Sequence, residues 1–384
     1  MEPRQQLVKL QGHHQLRNRL VLSLLSGKPV RIDQIRPDAD EPGLKDYEVV
    51  LLRLLEMISN GTTVRISHTG TQVTFLPGTL INGSVELDIP PTRPVGYYLE
   101  ALVALAPFGK KPLSCTLRGG ITGSDHRGDL TPDTIRTATL PFLAAAYGLD
   151  AGGLEVQVKA RGSAPLGGCD VRLIVQPALR LHPARLLDQG RVLKIRGIAA
   201  CTRVAPAMAT RLANAARSKL TRYIPDVYVY ADAARKDTAG LSPGFAVSLV
   251  AESTTGVRYI AEVASRPRVA DPETGEEIRA AVNDPEVLAT QCSRALLEAI
   301  ATGGCVDVAH EWLAMVFATV CSDEVSKWKQ ARRGEHGVDA FTIQALRDID
   351  AFFNVQFKVS ETKDGFISLS GVGAGFNSIH RKFT

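Results

Sequence analysis

The chain has 384 residues, of which 45% are hydrophobic and 22% are charged, and its formal net charge is +5. This composition is ordinary for a globular protein, and the length suggests about two or three domains. No apolar run approaches the roughly 18 residues of a membrane-spanning helix, and the N-terminus lacks the features of a secretory signal. We therefore expect a protein of the cytosol or nucleus. The mild positive charge is compatible with an RNA or acidic partner, although many enzymes share it.

Six widely spaced cysteines occur in the chain. None forms a C-x-x-C pair, so the sequence predicts neither a zinc site nor a disulfide framework. Isolated cysteines of this kind usually behave as small apolar side chains. We expect all of them to be buried.

Helical and strand patterns alternate from residue 15 onwards. Apolar residues at helical spacing predict a first helix that ends at Gly27, a plausible C-terminal cap. A strand over 29–36, a helix over 44–61 and two strands around a turn at Thr69–Gly70 follow. The same order of helix, strand, helix and strand pair returns over 94–178. Nearer the C-terminus, the sequence predicts three helices and a closing hairpin at 284–304, 309–320, 340–354 and 355–371. Three copies of such a unit indicate an internal repeat.

The pattern changes between the second and third copies. A strand, an amphipathic helix that starts near Pro206 and three further strands are predicted over 192–265. We interpret residues 188–267 as a small α/β domain inserted into a larger domain formed by 1–187 and 268–384. Insertions of this kind succeed where the host chain is a surface loop.

The stretch RGSAPLGGCDV at 161–171 leaves a predicted strand through a turn rich in proline and glycine. It resembles the R-G-x-x-P-x-G-G-G signature of the RNA 3′-terminal phosphate cyclase family, with Cys169 in place of the last glycine. LRGG at 117–120, GGCVD at 303–307 and PGL at 42–44 resemble other segments of that family. The resemblance covers most of the chain. It implies an α/β (α+β) fold with three repeated units, each of two helices on a four-stranded sheet, and a small inserted domain.

The resemblance also shows where this chain departs from the enzymes. Cyclases use a covalent histidine–AMP intermediate, which needs an imidazole nucleophile, but the corresponding position here is Phe341 and the nearest histidine is His336. Trp312 and Leu313 occupy the places of an Asp-Gln pair, and Tyr47 and Glu48 those of a Gln-His pair. The glycine-rich turn before the first helix reads Gln11-Gly12-His13-His14. These losses together predict that the nucleotide site is gone, so we expect no cofactor, no metal and no cyclase activity.

This combination is similar to the cyclase-like branch of the family. The resemblance implies a nucleolar assembly factor of the small-subunit processome, needed for early pre-rRNA processing. It also implies a complex with a ribosome-assembly GTPase and proximity to snoRNP and pre-rRNA. We expect a monomer or a heterodimer, with no membrane contact.

Candidate binding residues follow from charge and from the resemblance. The turn at 161–171 has two open interpretations: a tight strand connection, or a close backbone approach to a phosphate with Arg161 as charge partner. Residues 327–337 are predicted to be a polar loop, either solvated or in contact with RNA phosphates, with Trp328 packed in the core. The expected anion- or RNA-binding residues are Arg17, Arg36, Arg161, Gly167, Gly168, Arg332 and Arg333.

An alternative function is a pre-rRNA endonuclease that uses a repurposed site. Arg347 and Asp348 lie on the last predicted helix, beside the former nucleophile position. Cleavage of RNA by general acid–base catalysis needs a base near the 2′-hydroxyl and cations near the phosphate. The simpler interpretation of these two residues is an exposed ion pair.

Overall fold

The computed structural model describes residues 7–125, 127–266, 269–270, 277–279, 284–335 and 337–375. Its helices alternate with strands along the chain, and a π-helical turn joins the fourth helix to the fifth. The helices are α1 (Leu16–Ser26), α2 (Asp46–Met57), α3 (Gly96–Leu105), α4 (Pro132–Thr134), α5 (Leu140–Tyr147), α6 (Ala207–Leu220), α7 (Pro285–Thr302), α8 (Glu311–Val320) and α9 (Ala340–Phe353). None of the helices in these ranges combines the length and apolar character that a bilayer span requires.

The strands are short, as is typical of globular sheets. They are β1 (Val8–Gln11), β2 (Val30–Asp33), β3 (Ser59–Asn60), β4 (Thr63–Ile66), β5 (Val73–Leu76), β6 (Thr79–Leu80), β7 (Gly83–Asp88), β8 (Leu113–Arg118), β9 (Leu154–Ala160), β10 (Asp170–Val175), β11 (Arg185–Leu186), β12 (Val192–Thr202), β13 (Asp226–Ala233), β14 (Gly244–Ser253), β15 (Arg258–Ala264), β16 (Val269–Ala270), β17 (Glu277–Arg279), β18 (Val325–Gln330), β19 (Lys358–Glu361) and β20 (Ile367–Val372).

Three four-stranded sheets have the same pairing order. They are β1-β2-β5-β4, β7-β8-β10-β9 and β11-β18-β20-β19. In each sheet the first two strands are parallel and the last two form an antiparallel pair. Because a parallel pair needs a crossover connection, a helix lies between its two strands in the first two sheets. The predicted α/β (α+β) fold class is confirmed.

One hydrophobic core runs through all three sheets and the helices beside them. Leu20, Tyr98 and Phe317 come from three different helices and are fully buried in it. The first helix ends where the sequence predicts, because Gly27 adopts a left-handed φ of 70°. All six cysteines lie among the described residues, are buried and carry free thiols, as expected.

A fourth sheet, β13-β12-β14-β15, has a hydrophobic core of its own. Helices α6 and α7 cover one face of this sheet and pack against each other. Helix α7 therefore shares the core of the inserted sheet, although it follows the boundary predicted at residue 267. The boundaries 188–267 stay a prediction, whereas the packing of α7 is observed.

Several strands have no counterpart in the sequence-based prediction. Strands β1, β7 and β11 are each an edge strand of a four-stranded sheet. Strand β18 overlaps the segment predicted to be a polar loop. The loop prediction for 327–337 is therefore wrong at its start. Lysines alternate with buried residues along β18, and Trp328 between them is fully buried, so its predicted core packing is confirmed.

The proline–glycine turn at 161–168 joins the inserted sheet to the large domain by close backbone packing. The amide of Gly167 donates to the carbonyl oxygen of Ser163, and the amide of Gly168 donates to that of Gly119 at 2.8 Å. On the other side, the amide of Gly240 donates to the carbonyl oxygen of Arg161 at 2.6 Å. Both amides of the glycine pair are used inside the protein. Neither amide is free to bind a phosphate, which favours the tight-connection interpretation of the turn over the phosphate-approach interpretation.

Two glycine substitutions test this junction. Gly167 has φ 67°, and a Cβ atom there would overlap the carbonyl oxygens of Gly119 and Gly120. We expect Gly167→Ala to lower the free energy of unfolding by about 3 kcal/mol or more. Gly365 has φ 81° but open space around it, so Gly365→Ala should cost only about 1 kcal/mol. Chemical denaturation measures both, and equal costs would contradict the steric explanation.

Candidate functional site

A cavity of about 550 Å³ lies where the three units meet. It is lined by the β1–α1 turn, the starts of α2, α3, α8 and α9, and the loop at 127–129. The residues that the family resemblance assigned to the former nucleotide site lie together there. They are His13, His14, Arg36, Tyr47, Glu48, Trp312, Leu313 and Phe341. The sequence thus identified one common site across more than 300 residues of chain.

The aromatic ring of Phe341 is at the rim of this cavity. Phe341 is the second residue of α9, and its side chain is 45% exposed. Asp339 caps this helix by accepting a hydrogen bond from the amide of Thr342. Its carbonyl oxygen accepts a hydrogen bond from Gln15 Nε2 at 2.9 Å. A phenyl ring has no lone pair with which to attack a phosphorus atom. His336, the nearest histidine in sequence, lies outside the described residues.

Imidazoles do line the cavity. His13 and His14 lie in the turn between β1 and α1, with ring centroids 4.2 Å apart and ring planes tilted by 33°. Burial, and after it the charge of Arg36, lowers the pKa of His13 below its ordinary value. The His13 side chain is therefore neutral at pH 7. It occupies a position that is glycine-rich in the enzymes, not the position of their nucleophile.

Arg36 is held by an acid from its own chain. Its guanidinium makes two hydrogen bonds to the Glu48 carboxylate, at 2.6 and 2.7 Å, and a third to the carbonyl oxygen of Gly43. The hydrogen bonds to Glu48 raise the pKa of Arg36 against the effect of burial. Glu48 is 2% exposed and also accepts from the amide of Lys45, which fixes it at the first turn of α2. The predicted anion ligand Arg36 is thus neutralised internally.

Arg17 is neutralised in the same way. It forms ion pairs with Glu100 at 2.7 Å and with Asp129 at 3.2 Å. Asp129 also forms an ion pair with Arg93. The guanidinium carbon of Arg93 lies over the ring of Tyr97, 4.1 Å from the ring centroid. The sequence analysis did not identify Arg93. Its only signal was a lone arginine before a predicted helix, and its role depends on contacts with residues far along the chain.

The far wall of the cavity has a different character. Arg333 contacts Glu311 and pairs with Asp339 at 3.1 Å through Nη2. Its Nε and Nη1 atoms and the indole Nε1 of Trp312 have no acceptor among the described residues, although all three atoms are buried. Arg333 is therefore the predicted anion-binding residue on the lining of this cavity that keeps hydrogen-bond donors without an acceptor, and those donors are buried.

Four further predicted residues lie elsewhere. Arg161 is 8% exposed and pairs with Asp133 at 2.6 Å and with Asp232 at 2.7 Å, so it links the large domain to the inserted sheet. Arg332 is exposed and pairs with Glu361. Gly167 and Gly168 belong to the junction described above. None of these residues lines the 550 Å³ cavity.

The structure does not bring Arg347 and Asp348 together. Successive residues of a helix point about 100° apart, and here Arg347 is exposed whereas Asp348 is 1% exposed. Asp348 pairs with Arg19 of α1 at 3.0 Å and accepts from Gln344. The interpretation as an exposed ion pair is therefore wrong. The pair also does not form a joint site for RNA cleavage, because Asp348 is buried in a contact between the first and third units.

Comparisons with known proteins agree with this geometry. The sequence profile of the RNA 3′-terminal phosphate cyclase family matches residues 8–359, so the chain belongs to that family. It is 39% identical over 379 residues to the rRNA processing protein rcl1 of Schizosaccharomyces pombe, covering 98% of both chains. It is 40% identical over 378 residues to the RNA 3′-terminal phosphate cyclase-like protein of Mus musculus, covering 96% of both. The family resemblance found in the sequence, including its cyclase-like branch, is confirmed.

Removing the partner of Arg36 should restore an anion site. We expect Glu48→Ala to lower the free energy of unfolding by about 3 kcal/mol, because it leaves a buried guanidinium unpaired. Added sulfate should then stabilise the variant more than the parent, since it binds only the folded state. Thermal unfolding with and without sulfate measures this. Glu86→Ala, which removes one of the two carboxylates paired with the exposed Arg118, is the control and should change little. An equal stabilisation of Glu48→Ala and the parent by sulfate would contradict the conclusion that Glu48 neutralises Arg36.

A second prediction concerns pH. Burial raises the pKa of Glu311 from 4.5 to about 7, and Arg333 offsets only part of the effect. The folded state therefore holds this proton more tightly than the unfolded state, and the stability it contributes is lost as the pH rises from about 4.5 to 7. Glu311→Gln should show a smaller loss over that window in urea denaturation. Glu361→Gln at the exposed pair with Arg332 should follow the parent. An unchanged pH profile in Glu311→Gln would refute the assignment.

Proposed function

We propose that this protein is an rRNA-processing factor without cyclase activity. It acts in the nucleolus as part of the small-subunit processome, where early pre-rRNA cleavages lead to small-subunit rRNA. It binds a ribosome-assembly GTPase, exists as a monomer or a heterodimer, and has snoRNP and pre-rRNA as further partners. The similarity to an rRNA processing protein and to a cyclase-like protein supports the rRNA-processing part. The processome, the GTPase and the nucleolus rest on the resemblance to the cyclase-like branch.

The single observation that carries the proposal is the state of the cavity. Adenylate transfer needs a nucleophilic nitrogen and free cations around the phosphates. Here Phe341 stands at the position of the nucleophile, and Arg36 is held in two hydrogen bonds by Glu48. A nucleotide phosphate placed beside Arg36 would meet the Glu48 carboxylate and be repelled. The endonuclease alternative has no comparable support, because the side chains of Arg347 and Asp348 point in different directions, one to solvent and one into the protein.

Adenylation provides a direct test of the missing activity. The purified protein is incubated with ATP labelled at the α-phosphate and Mg²⁺, beside an active family cyclase as positive control. We expect no labelled protein, because no imidazole occupies the Phe341 position. If labelled protein appears and His13→Ala abolishes it, the neutral imidazole in the turn is the nucleophile and the proposal fails in that part.

Processing in cells tests the remaining part. Depletion of the protein should lower small-subunit rRNA relative to large-subunit rRNA, with unprocessed precursors accumulating on northern blots. Re-expression of the parent and of Phe341→Ala should both restore processing, because the ring performs no chemistry. Normal rRNA ratios after depletion would refute a role in rRNA processing, whatever the adenylation assay shows.

A further inference from the structure

The inserted sheet leaves one face partly uncovered. On the covered face, Val227 and Val229 of β13 pack with α6 and α7. Side chains alternate along a strand, so the residues between them point the other way. Those residues are Tyr228 and Tyr230. They are 61% and 55% exposed, which is unusual for large aromatic side chains on a regular sheet.

The two tyrosines continue onto the neighbouring strand. In the parallel pairing of β13 with β12, Tyr228 lies beside Arg196 and Tyr230 lies beside Ile198. Residues two apart on a strand are separated by roughly 7 Å on the same face. The rings therefore provide two adjacent flat surfaces at the edge of the sheet. The guanidinium of Arg196 beside the first ring is paired with Asp226 at 2.8 Å.

A cleft of about 390 Å³ opens beside this platform, between the inserted sheet and loops of the large domain. Ile198 lines the cleft, so the cleft adjoins Tyr230 directly. Its floor is made of small side chains from three strands, Ala200, Ala246 and Ala264, and its opposite wall includes Ile121. The lining is mostly apolar with several hydroxyl groups. The volume lies within the range of ligand sites, and such sites are common between domains.

The charge distribution favours a polyanionic occupant. Residues 188–266 contain twelve lysines and arginines against six aspartates and glutamates, a net charge of +6, whereas the whole chain carries +5. The positive charge of the protein is thus carried by the inserted segment, and the rest of the chain is slightly negative. Arg235 and Lys236 are exposed just after β13, and Arg266 is exposed on the lining of the cleft.

We propose that this uncovered face binds single-stranded RNA. Tyr228 and Tyr230 stack on two successive bases, the cleft beside Tyr230 takes one unstacked base, and the surrounding cations contact phosphates. Stacking on exposed aromatic rings next to basic side chains is how proteins hold unpaired nucleotides. The site rests on the proposed role in rRNA processing and adds to it a place of direct contact with unpaired RNA.

An extended peptide explains the features less well. A peptide that adds to the edge of a sheet is bound through its backbone and needs no exposed rings on the face of the strand. It also gives no reason for the concentration of positive charge in the inserted segment. We therefore treat a peptide as a competing outcome of the experiment.

The experiment measures binding of the full-length protein to a fluorescein-labelled twelve-nucleotide single-stranded RNA by anisotropy, at two salt concentrations. The double variant Tyr228→Ala/Tyr230→Ala should bind at least about tenfold more weakly, because each stacked base contributes about 1–3 kcal/mol. Tyr228→Phe/Tyr230→Phe should bind like the parent, since the rings remain. Ala246→Leu fills the cleft and should weaken binding as well. Thermal unfolding confirms that each variant is folded.

Tyr223→Ala is the matched control. Tyr223 is 69% exposed in the same inserted segment, but it follows α6 and lies with Lys219 and Arg222 in a groove against α7. We expect no change in affinity. Loss of binding in Tyr223→Ala with none in the double variant would move the RNA to that groove and overturn the proposal.

Other outcomes are also decisive. No measurable affinity in the parent, or equal affinity in parent and double variant, would overturn the RNA site. If the double variant keeps its RNA affinity but no longer co-purifies with a partner protein from cells, the face is a protein-docking surface. The depletion experiment tests the role in rRNA processing separately. A failure of the RNA-binding proposal can therefore be distinguished from a failure of the proposed function.

Discussion

Buried guanidinium groups must be balanced by carboxylates, and this requirement shapes the cavity where the three units meet. An arginine cannot lose its proton at physiological pH, so burying one without a partner is costly. Glu48 satisfies Arg36, whereas Asp129 is shared between Arg17 and Arg93. The same pairs that stabilise the fold also occupy the donors that a nucleotide would use. These ion pairs are therefore part of the structural framework of the cavity.

The units are held together by a similar principle. Arg19 and Asp348 are separated by 329 positions, yet they form a buried ion pair that joins α1 to α9. Arg161 does the same between the large domain and the inserted sheet, next to backbone contacts that only glycine permits. Residues that look like a catalytic pair or a phosphate loop in the sequence therefore serve to position the units.

The sequence predicted regular elements well where periodicity is strong. Helices α1, α2, α6 and α9 lie within the predicted segments, because apolar residues at helical spacing must face a core. It missed β1, β7 and β11, since a strand of two to six residues at the edge of a sheet carries little local signal and is stabilised mainly by pairing with a distant segment. Strand β18 was predicted to be a loop because lysines occupy its exposed face, although its other face contains the buried Trp328.

Residue identities determined the family, the fold class and which side chains had lost the chemistry of the cyclases. Those conclusions need only the type of atom at a position, such as the hydrocarbon ring of Phe341. The tertiary structure alone decided which hydrogen-bond and ion-pair partners these side chains and amides have. Whether Arg36 is free or bound to Glu48, whether the amide of Gly168 meets a phosphate or a carbonyl oxygen, and which way Tyr228 points depend on segments that are distant in the chain. Local sequence does not contain that information, because hydrogen bonds and ion pairs are set by distances that only folding establishes.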